Sequence, residues 1–436
     1  MDRRDFLKKS ALAAGAGLAA AEFSGLKAEN VRKQDSRITS RLDAKAWVKE
    51  PARKIPLVAS ADVVITGGGP AGVAAAVSAA RQGASVILLE KYGFLGGLWL
   101  GGLVLPVLST HGVGRDGGWD KVVHGFCSDI YARLEKIGMI INPRNPVPDP
   151  EACKYMLDRM MEEHKVQVLY HVLVCDVVMS GDSIDCVVLE TKSGRVAVKG
   201  KVYIDCSGDG DIFAHAGEEY REMKYHIGAM WRVGNAADVK KGSRTPIEGV
   251  KVFHMRGEEE QDGLNMFNLS RLQIKMRKEM WDKTQEAKSL PGGEKLFLLE
   301  TPPLLGVRIT RILDAQHILT LDDSMNYVSY PDSIGMSGGS DTIWYKGRKV
   351  RGKERPVWQI PYRSLVPRRC PNLLVAGRCF GFEEAIAWDA REVGTCFVTG
   401  QAAGTAAGIA ANNRCSTQEV NIGRLQDCLR VQNVML

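Results

Sequence analysis

The chain has 436 residues, 45% hydrophobic and 25% charged, the composition of an ordinary soluble globular protein with room for two or three domains. Its formal net charge of +7 invites a nucleic-acid reading, yet residues 1–54 alone hold +6 of that excess. The remainder is close to neutral, and composition gives nucleic-acid binding no support.

The chain opens with "DRRDFLKKSALAAGAGLAAA", in which Arg3 and Arg4 precede Phe6, Leu7 and Lys8 and a weakly hydrophobic run from Ala11 to Ala21. That run is too short to span a bilayer. The head resembles a twin-arginine export signal, with Asp2 where Ser or Thr is more usual and a small-residue cleavage site at Ala19 and Ala21. Residues 1–26 are therefore expected to be an export signal and the mature protein to be periplasmic or otherwise exported. Residues 27–54, charged and without apolar periodicity, read as a linker or surface arm. No later segment reaches 18 uninterrupted apolar residues, which predicts no stable membrane insertion of the mature chain.

From Asp62 the sequence reads "DVVITGGGPAG". Val63 to Thr66 have the pattern of a buried parallel strand, and "AGVAAAVSAARQG" that of a helix with few bulky residues. Gly67, Gly69 and Gly72 fit GxGxxG, with Pro70 and Ala71 opening the helix. The first glycine allows the tight turn, the second lets the backbone approach a pyrophosphate, and the third lets helix and strand pack closely. Free N–H groups at the helix start and its dipole then favour the phosphates. A second strand, "ASVILLE", ends in Glu90, at the spacing of an acid that grips a ribose 2′-OH, and its charge argues against a 2′-phosphate. Strand, turn, helix, strand and acid together predict a dinucleotide site. An ordinary glycine-rich turn would leave the position of Glu90 to coincidence.

After Glu90 comes "KYGFLGGLWLGGLVLP", beginning at Lys91 and carrying the pairs Gly96–Gly97 and Gly101–Gly102. Paired glycines there let backbone run close to an extended cofactor, which suits FAD better than NAD. Residues 151–167 read as a helix, Val168–Val178 and Asp185–Glu190 as strands, and "TKSGRV" as a hairpin. Asp205, Asp209 and Asp211 have calcium-like spacing, but no downstream bidentate acid completes the loop, so a strand-ending turn and no metal is expected. Residues 218–365 hold strand-like "AMWRV", "VKVFHM" and "VWQIPY" around a helical "NLSRLQIKMRKEMWDKTQEAK" read as mostly a solvated face. "KGRKVRGKER" (Lys346–Arg355) reads as a solvated loop, with attraction of an anionic substrate as the lesser alternative. Leu373–Ala376 form a strand and Gly377 a turn, while the small residues of "GQAAGTAAGIAA" suit a helix approached by a flat ring or packed closely on a neighbour. Ten cysteines without a CxxC pair suggest neither zinc nor a redox dithiol, and leave disulfides open.

"GGGPAG", "FLGG", "VYIDCSGDGDIFAHAG", "GVRITRILDAQHILT", "YPDSIG", "IPYRSLVP" and "NLLVAGRCF…GTC…GQAAGTAAG" occur in this order over roughly residues 60–410. With these blocks the chain resembles FAD-dependent oxidoreductases of the glutathione-reductase-like flavoprotein superfamily, Cys206 and Ser207 standing where the family pattern has Ala-Thr. The resemblance implies an α/β fold: a Rossmann-like FAD-binding domain, a parallel sheet with helices and a small antiparallel β piece, over residues 55–217 and 366–436. An α+β substrate domain, 218–365, is expected as an insert. It further implies FAD contacts from Gly67, Gly69, Pro70, Ala71, Gly72, Glu90, Lys91, Gly96, Gly97, Gly208, Asp209, Gly377 and Arg378, with Val174 at the adenine. Gly400, Gln401, Ala402 and Ala403 would start a helix aimed at the flavin N1 and C2 carbonyl, where its dipole stabilises the reduced ring. "GGLWLGG" also looks like thiazole synthases, but length, export signal and C-terminal block disagree.

Many relatives carry His or Arg after "AGRC"; here "FGFEEAIAWDAR" supplies Glu383, Glu384, Asp389 and Arg391 but no histidine. His111, His226, His254 and His317 remain available as a base, though a histidine taken singly is more often a packed or surface residue than a catalyst. Arg308, Arg311 and Arg363 are candidates to hold a small polar substrate, anionic or sugar-like, with a structural ion pair as the equal alternative for each; the first two share a face if helical and diverge if extended. The expected function is an exported oxidoreductase that passes a hydride from substrate to flavin and electrons on to a quinone, haem protein or oxygen. A non-catalytic, exported flavin carrier or binding module is the alternative. An insert of about 150 residues is costly to order unless it shapes a pocket, which favours the enzyme.

Overall fold

Strand β1 (Leu57–Thr66) buries its last four side chains, helix α1 (Pro70–Arg81) buries every residue from Ala71 to Ala79, and β2 (Val86–Glu90) is buried throughout. Helix α2 (Pro150–Glu163) starts on a proline and is capped by Asp149, whose side chain accepts from the N–H groups of Glu151 and Ala152 at 3.1 and 2.9 Å. β3 (Gln167–Tyr170), β4 (Leu173–Ser180), β5 (Ser183–Thr191) and β6 (Gly194–Asp205) follow. The expected single strand over Val168–Val178 is two. His171, in left-handed conformation at φ 58°, turns the chain between them. Further on come β7 (Ala229–Gly234), β8 (Ser243–Arg244), β9 (Lys251–Met255), α3 (Met266–Lys288), β10 (Phe297–Glu300), β11 (Leu373–Val375) and α4 (Val393–Asn413). The computed structural model describes residues 48–258, 260–339, 343–345, 348–351 and 355–436. The export-signal reading, and part of the basic run near residue 350, lie outside them.

The main sheet runs β3-β2-β1-β6 with β11 on the far side of β6, all parallel. β6 is long enough to serve two sheets: Tyr203–Asp205 pair with β11, while Gly194–Val198 run antiparallel to β5, which pairs with β4. The antiparallel piece read from the sequence is thus an outgrowth of the parallel sheet. Register sets Thr66 beside Leu89 and Asp205, and Asp205 beside Val375. The carboxyl ends of β1, β2, β6 and β11 therefore share one edge, the edge at which open α/β sheets bind ligands.

Small residues bring α4 against α1. A Cβ at Gly400 or Gly404 would come within 2.1 Å of the carbonyl oxygen of Ala71 or Ala75. A second apolar cluster forms where α3 lies across the antiparallel sheet β8-β9-β7-β10. Trp231, Phe253, Leu272, Met276 and Met280 fill it, and Trp231 Nε1 donates to Thr284 Oγ1 at 2.9 Å. This segment and the parallel sheet belong to one compact unit. All ten cysteines are free thiols. Among the described residues no helix is long and apolar enough to cross a membrane.

Candidate active site

A cavity of about 1420 Å³ opens along the carboxyl edge of the parallel sheet. A single small-molecule site usually has roughly 300–1,000 Å³, so this one has room for a large cofactor and a substrate. Its first half is the glycine turn. Gly67 takes φ 95°, and a Cβ on Gly72 would sit 1.8 Å from Gly67 O; both glycines serve the close packing of turn, helix and β6. Gly69 is different. It caps α1 in extended conformation with no side chain satisfying the helix N–H groups, and the nearest atom to a Cβ there would be Gly97 Cα at 4.0 Å. The space against Gly69 belongs to the cavity.

Glu90 closes this half. Its Oε2 accepts from Gly68 N–H at 2.6 Å and Oε1 from Tyr92 N–H at 2.8 Å, and both oxygens keep a further lone pair. Burial raises its pKa, against the pull of those donors and of Lys91. The loop after it is tied down by Gly96 N–H, which donates to Gly68 O at 2.7 Å. Gly96 thus positions the turn, while Gly97 lines the cavity.

β6 and β11 end in a charged knot. Asp209 Oδ1 accepts from Arg378 Nη2 at 2.7 Å and Thr310 Oγ1 at 2.8 Å. Burial opposes the Asp209 charge, but Arg378 and Lys91 hold it below the usual carboxylate range. Asp205 is used up by the chain: Oδ1 takes the N–H and hydroxyl of Ser207, and Oδ2 the N–H groups of Ile212 and Phe213. Burial, with Asp209 and Asp205 nearby, pushes Asp211 up to about 6.

The other half of the cavity is lined by Tyr225, His226, His254, Arg256, Arg308, Glu384, Trp388 and Arg391. Tyr225 and His226 stack at 4.5 Å, Trp388 lies 5.8 Å from the imidazole, and the Arg391 guanidinium sits over Trp388 at 5.2 Å. Arg391 Nη2 meets Glu392 Oε1 at 3.2 Å, and its buried Nε has no hydrogen-bond partner among the described residues. Arg308 Nη1 donates to His226 O at 2.9 Å. Burial, then the charge of Arg391, bring Arg308 down to about 10. Burial, then Arg308, Arg391 and Arg256, bring His226 down to about 4.

A sequence profile for FAD dependent oxidoreductases matches residues 62–230 and 223–429, nearly the whole described chain. The chain belongs to that family. It is an FAD-dependent oxidoreductase enzyme with a Rossmann-like FAD-binding fold. Solved structures similar to it include a geranylgeranyl bacteriochlorophyll reductase-like protein from Thermoplasma acidophilum, 12% identical with TM-score 0.43, covering 86% of this chain and 83% of that one. Others are p-nitrophenol 4-monooxygenase from Pseudomonas putida (11%, TM-score 0.45, 86% and 87% covered) and L-amino acid deaminase from Proteus myxofaciens in complex with anthranilate (13%, 0.41, 88% and 96%).

The residues present fit FAD. The uncapped start of α1 beside the open face of Gly69 offers N–H groups and space to a pyrophosphate. Glu90 retains acceptors for ribose hydroxyls, and Val174, buried and lining the cavity, offers an apolar contact for a base. Pro70, Ala71, Lys91, Gly208, Gly377 and Arg378 also line it.

Four expected cofactor residues are elsewhere. α4 begins at Val393, so Gly400, Gln401, Ala402 and Ala403 lie two turns inside it, buried. Gly400 meets α1, and Gln401 Oε1 accepts from Phe126 N–H at 2.9 Å. They pack helices, and the residues of α4 that line the cavity are Val393 and Cys396. Two expected substrate arginines are also structural. The segment after Arg308 is extended rather than helical, so Arg311 diverges from it and is buried with Asp209 O at 2.9 Å and Asp211 Oδ1 at 3.4 Å. Arg363 forks onto Asp332 at 2.9 and 3.3 Å. His111 and His317 are outside the cavity lining, and Glu383 accepts from Leu321 N–H at 2.6 Å. Sequence reasoning missed Tyr225, Arg256 and Trp388; the one usable signal was the three-residue spacing of Trp388 and Arg391.

Proposed function

We propose that the enzyme oxidises a small anionic substrate whose carboxylate is held by Arg308 and Arg391, and that the segment around β7–β10 serves as its substrate lobe. One observation carries this reading: Arg308 and Arg391 share one half-buried wall, where burial and then the Arg391 charge disfavour the charge of Arg308, with Glu392 as the nearby acid. An incoming anion would relieve that repulsion. Bound along the sheet edge, FAD supplies a two-electron acceptor for a hydride. Trp388 and Tyr225 wall the substrate from water, and neutral His226 is positioned to take the proton of a substrate hydroxyl or amine.

The same arginines that depress His226 would be neutralised by the bound anion, so binding raises its basicity where the proton is released. A base must be unprotonated, so activity falls as pH drops through its pKa. The acid limb of kcat/KM, which reports the free enzyme, is expected near pH 4, and that of kcat at distinctly higher pH. Coincident limbs would exclude His226 from this role.

The direct test is anaerobic bleaching of the flavin band by hydroxy acids, amino acids and sugars. Reduction by acids and not by neutral sugars supports the anionic reading. Reduction by external reductants alone would favour a carrier. Export is part of the proposal, motivated by the twin-arginine-like head, with a quinone, haem protein or oxygen as electron acceptor. Replacing Arg3 and Arg4 by Lys should leave the FAD-loaded precursor in the cytoplasm, measured by fractionation; unchanged export would make the head a basic tail.

A further inference from the structure

α3 presents to solvent a face unlike the outside of an ordinary globular helix. Phe267, Ile274 and Trp281, seven residues apart, are 70%, 72% and 55% exposed. At about 100° per residue they lie within about 20° of one line along the helix. Ser270, Arg271, Arg277, Lys278, Gln285 and Lys288 fall within about 60° of that line, and no acid does. Glu279, Asp282 and Glu286 lie further round. Arg271 reaches Glu258 at 2.9 Å and Lys278 reaches Asp282 at 2.5 Å, while Arg277 and Lys288 have no carboxylate partner among the described residues. The opposite face is spent on the core through Leu272, Met276, Met280, Thr284 and Ala287. A large apolar line between basic flanks is the pattern of a helix lying in a membrane interface.

We propose that this face docks on an anionic phospholipid surface, with Phe267, Ile274 and Trp281 entering the headgroup region and the basic side chains meeting lipid phosphates. Charge complementarity selects this occupant. A second copy of the helix would set basic residues against basic residues, with no acid on the face to answer them. The helix lies on the surface and does not span it. Leu269 and Gln273, on the same helix, line the cavity, so docking brings the active site to within about one helix diameter, roughly 10 Å, of the bilayer. The proposal does not depend on which substrate is oxidised.

The test is co-sedimentation of the FAD-loaded full chain with vesicles of phosphatidylcholine, alone or containing phosphatidylglycerol, at low salt. Binding is expected only with phosphatidylglycerol. Removing two positive charges in Arg277→Gln/Lys288→Gln should weaken it by roughly twenty-five-fold, about fivefold per basic residue near an anionic surface. Phe267→Ser/Ile274→Ser/Trp281→Ser should abolish it. All variants share the N-terminal segment, so binding through that segment would leave them unchanged and overturn the proposal. Flavin content and melting temperature, expected to be unaltered by these exposed changes, control for folding. In Trp281→Phe, binding should persist while the vesicle-induced blue shift of tryptophan emission is lost. A wild-type dimer without vesicle affinity, broken by the triple variant, would give the face to a second copy.

Discussion

A single methyl group added at Gly69 should leave a folded protein that holds FAD at least about tenfold more weakly. The residue has φ −71° and ψ −174°, extended backbone that any residue adopts, and among the described residues no atom beyond its two chain neighbours lies closer than 4.0 Å to the position of the new carbon. As an N-cap change, Gly69→Ala should cost the fold at most about 1 kcal/mol. The cofactor is the group displaced. If its pyrophosphate retreats from the N–H groups of α1, it forfeits charge-assisted hydrogen bonds of about 1.5–3 kcal/mol each. Loss of one or two corresponds to a fall in FAD affinity of at least about tenfold and up to tens of thousands. Apoprotein melting and fluorescence titration with FAD separate the two effects. Gly72→Ala is the contrast: its methyl would lie 1.8 Å from Gly67 O, so the fold itself should fail. Unchanged FAD affinity in Gly69→Ala would remove the glycine turn from the cofactor site.

Arg308→Met should raise KM for the anionic substrate by about ten- to a hundredfold with a smaller change in kcat, because a clamp that grips ground and transition states alike affects binding first. Stability should not follow. Folding lowers the Arg308 pKa to about 10, so the fold disfavours its charge, and deleting the charge relieves that strain while leaving His226 O without its donor. The two effects oppose each other, and the apoprotein should melt within a few degrees of wild type. Arg363→Met is the control. Its guanidinium is about half exposed and paired with Asp332, so KM should stay unchanged. Equal rises in KM for both variants would mean that neither arginine acts as the clamp.

Local chemistry made one half of the site legible in advance. The glycine turn, the strand ending in Glu90 and the strand ending in Val375 are short-range patterns, and the dinucleotide reading rests on intervals of at most a few dozen residues. The segments near Ala229 and Lys251 were similarly readable as strands, though not their antiparallel pairing. The long helix was recognised as a helix. Its mostly solvated face is also legible, since only Leu272, Met276, Met280, Thr284 and Ala287 are buried; what that stripe packs on shows only when a sheet lies beneath it.

Sequence by itself determined the strand–turn–helix unit, the acid at the end of β2 and the family-specific order of blocks, because each depends on residues close in the chain and on backbone geometry that few residue types permit. Tertiary structure decided what the arginines and the small-residue helix do. Arg308 faces the cavity while Arg311, three residues on, is tied to the Asp209 carbonyl and the Asp211 carboxylate, a choice made by a turn about a hundred residues earlier. Gly400 to Ala403 are buried instead of facing the cavity, Gly400 against α1 and Gln401 on Phe126 N–H, because the helix starts at Val393. Tyr225, His226, Trp388 and Arg391 became one wall only through folding, since more than 160 residues separate their two segments and no local pattern links them. A guanidinium has much the same propensities in an ion pair as in a binding site; its surroundings assign the role.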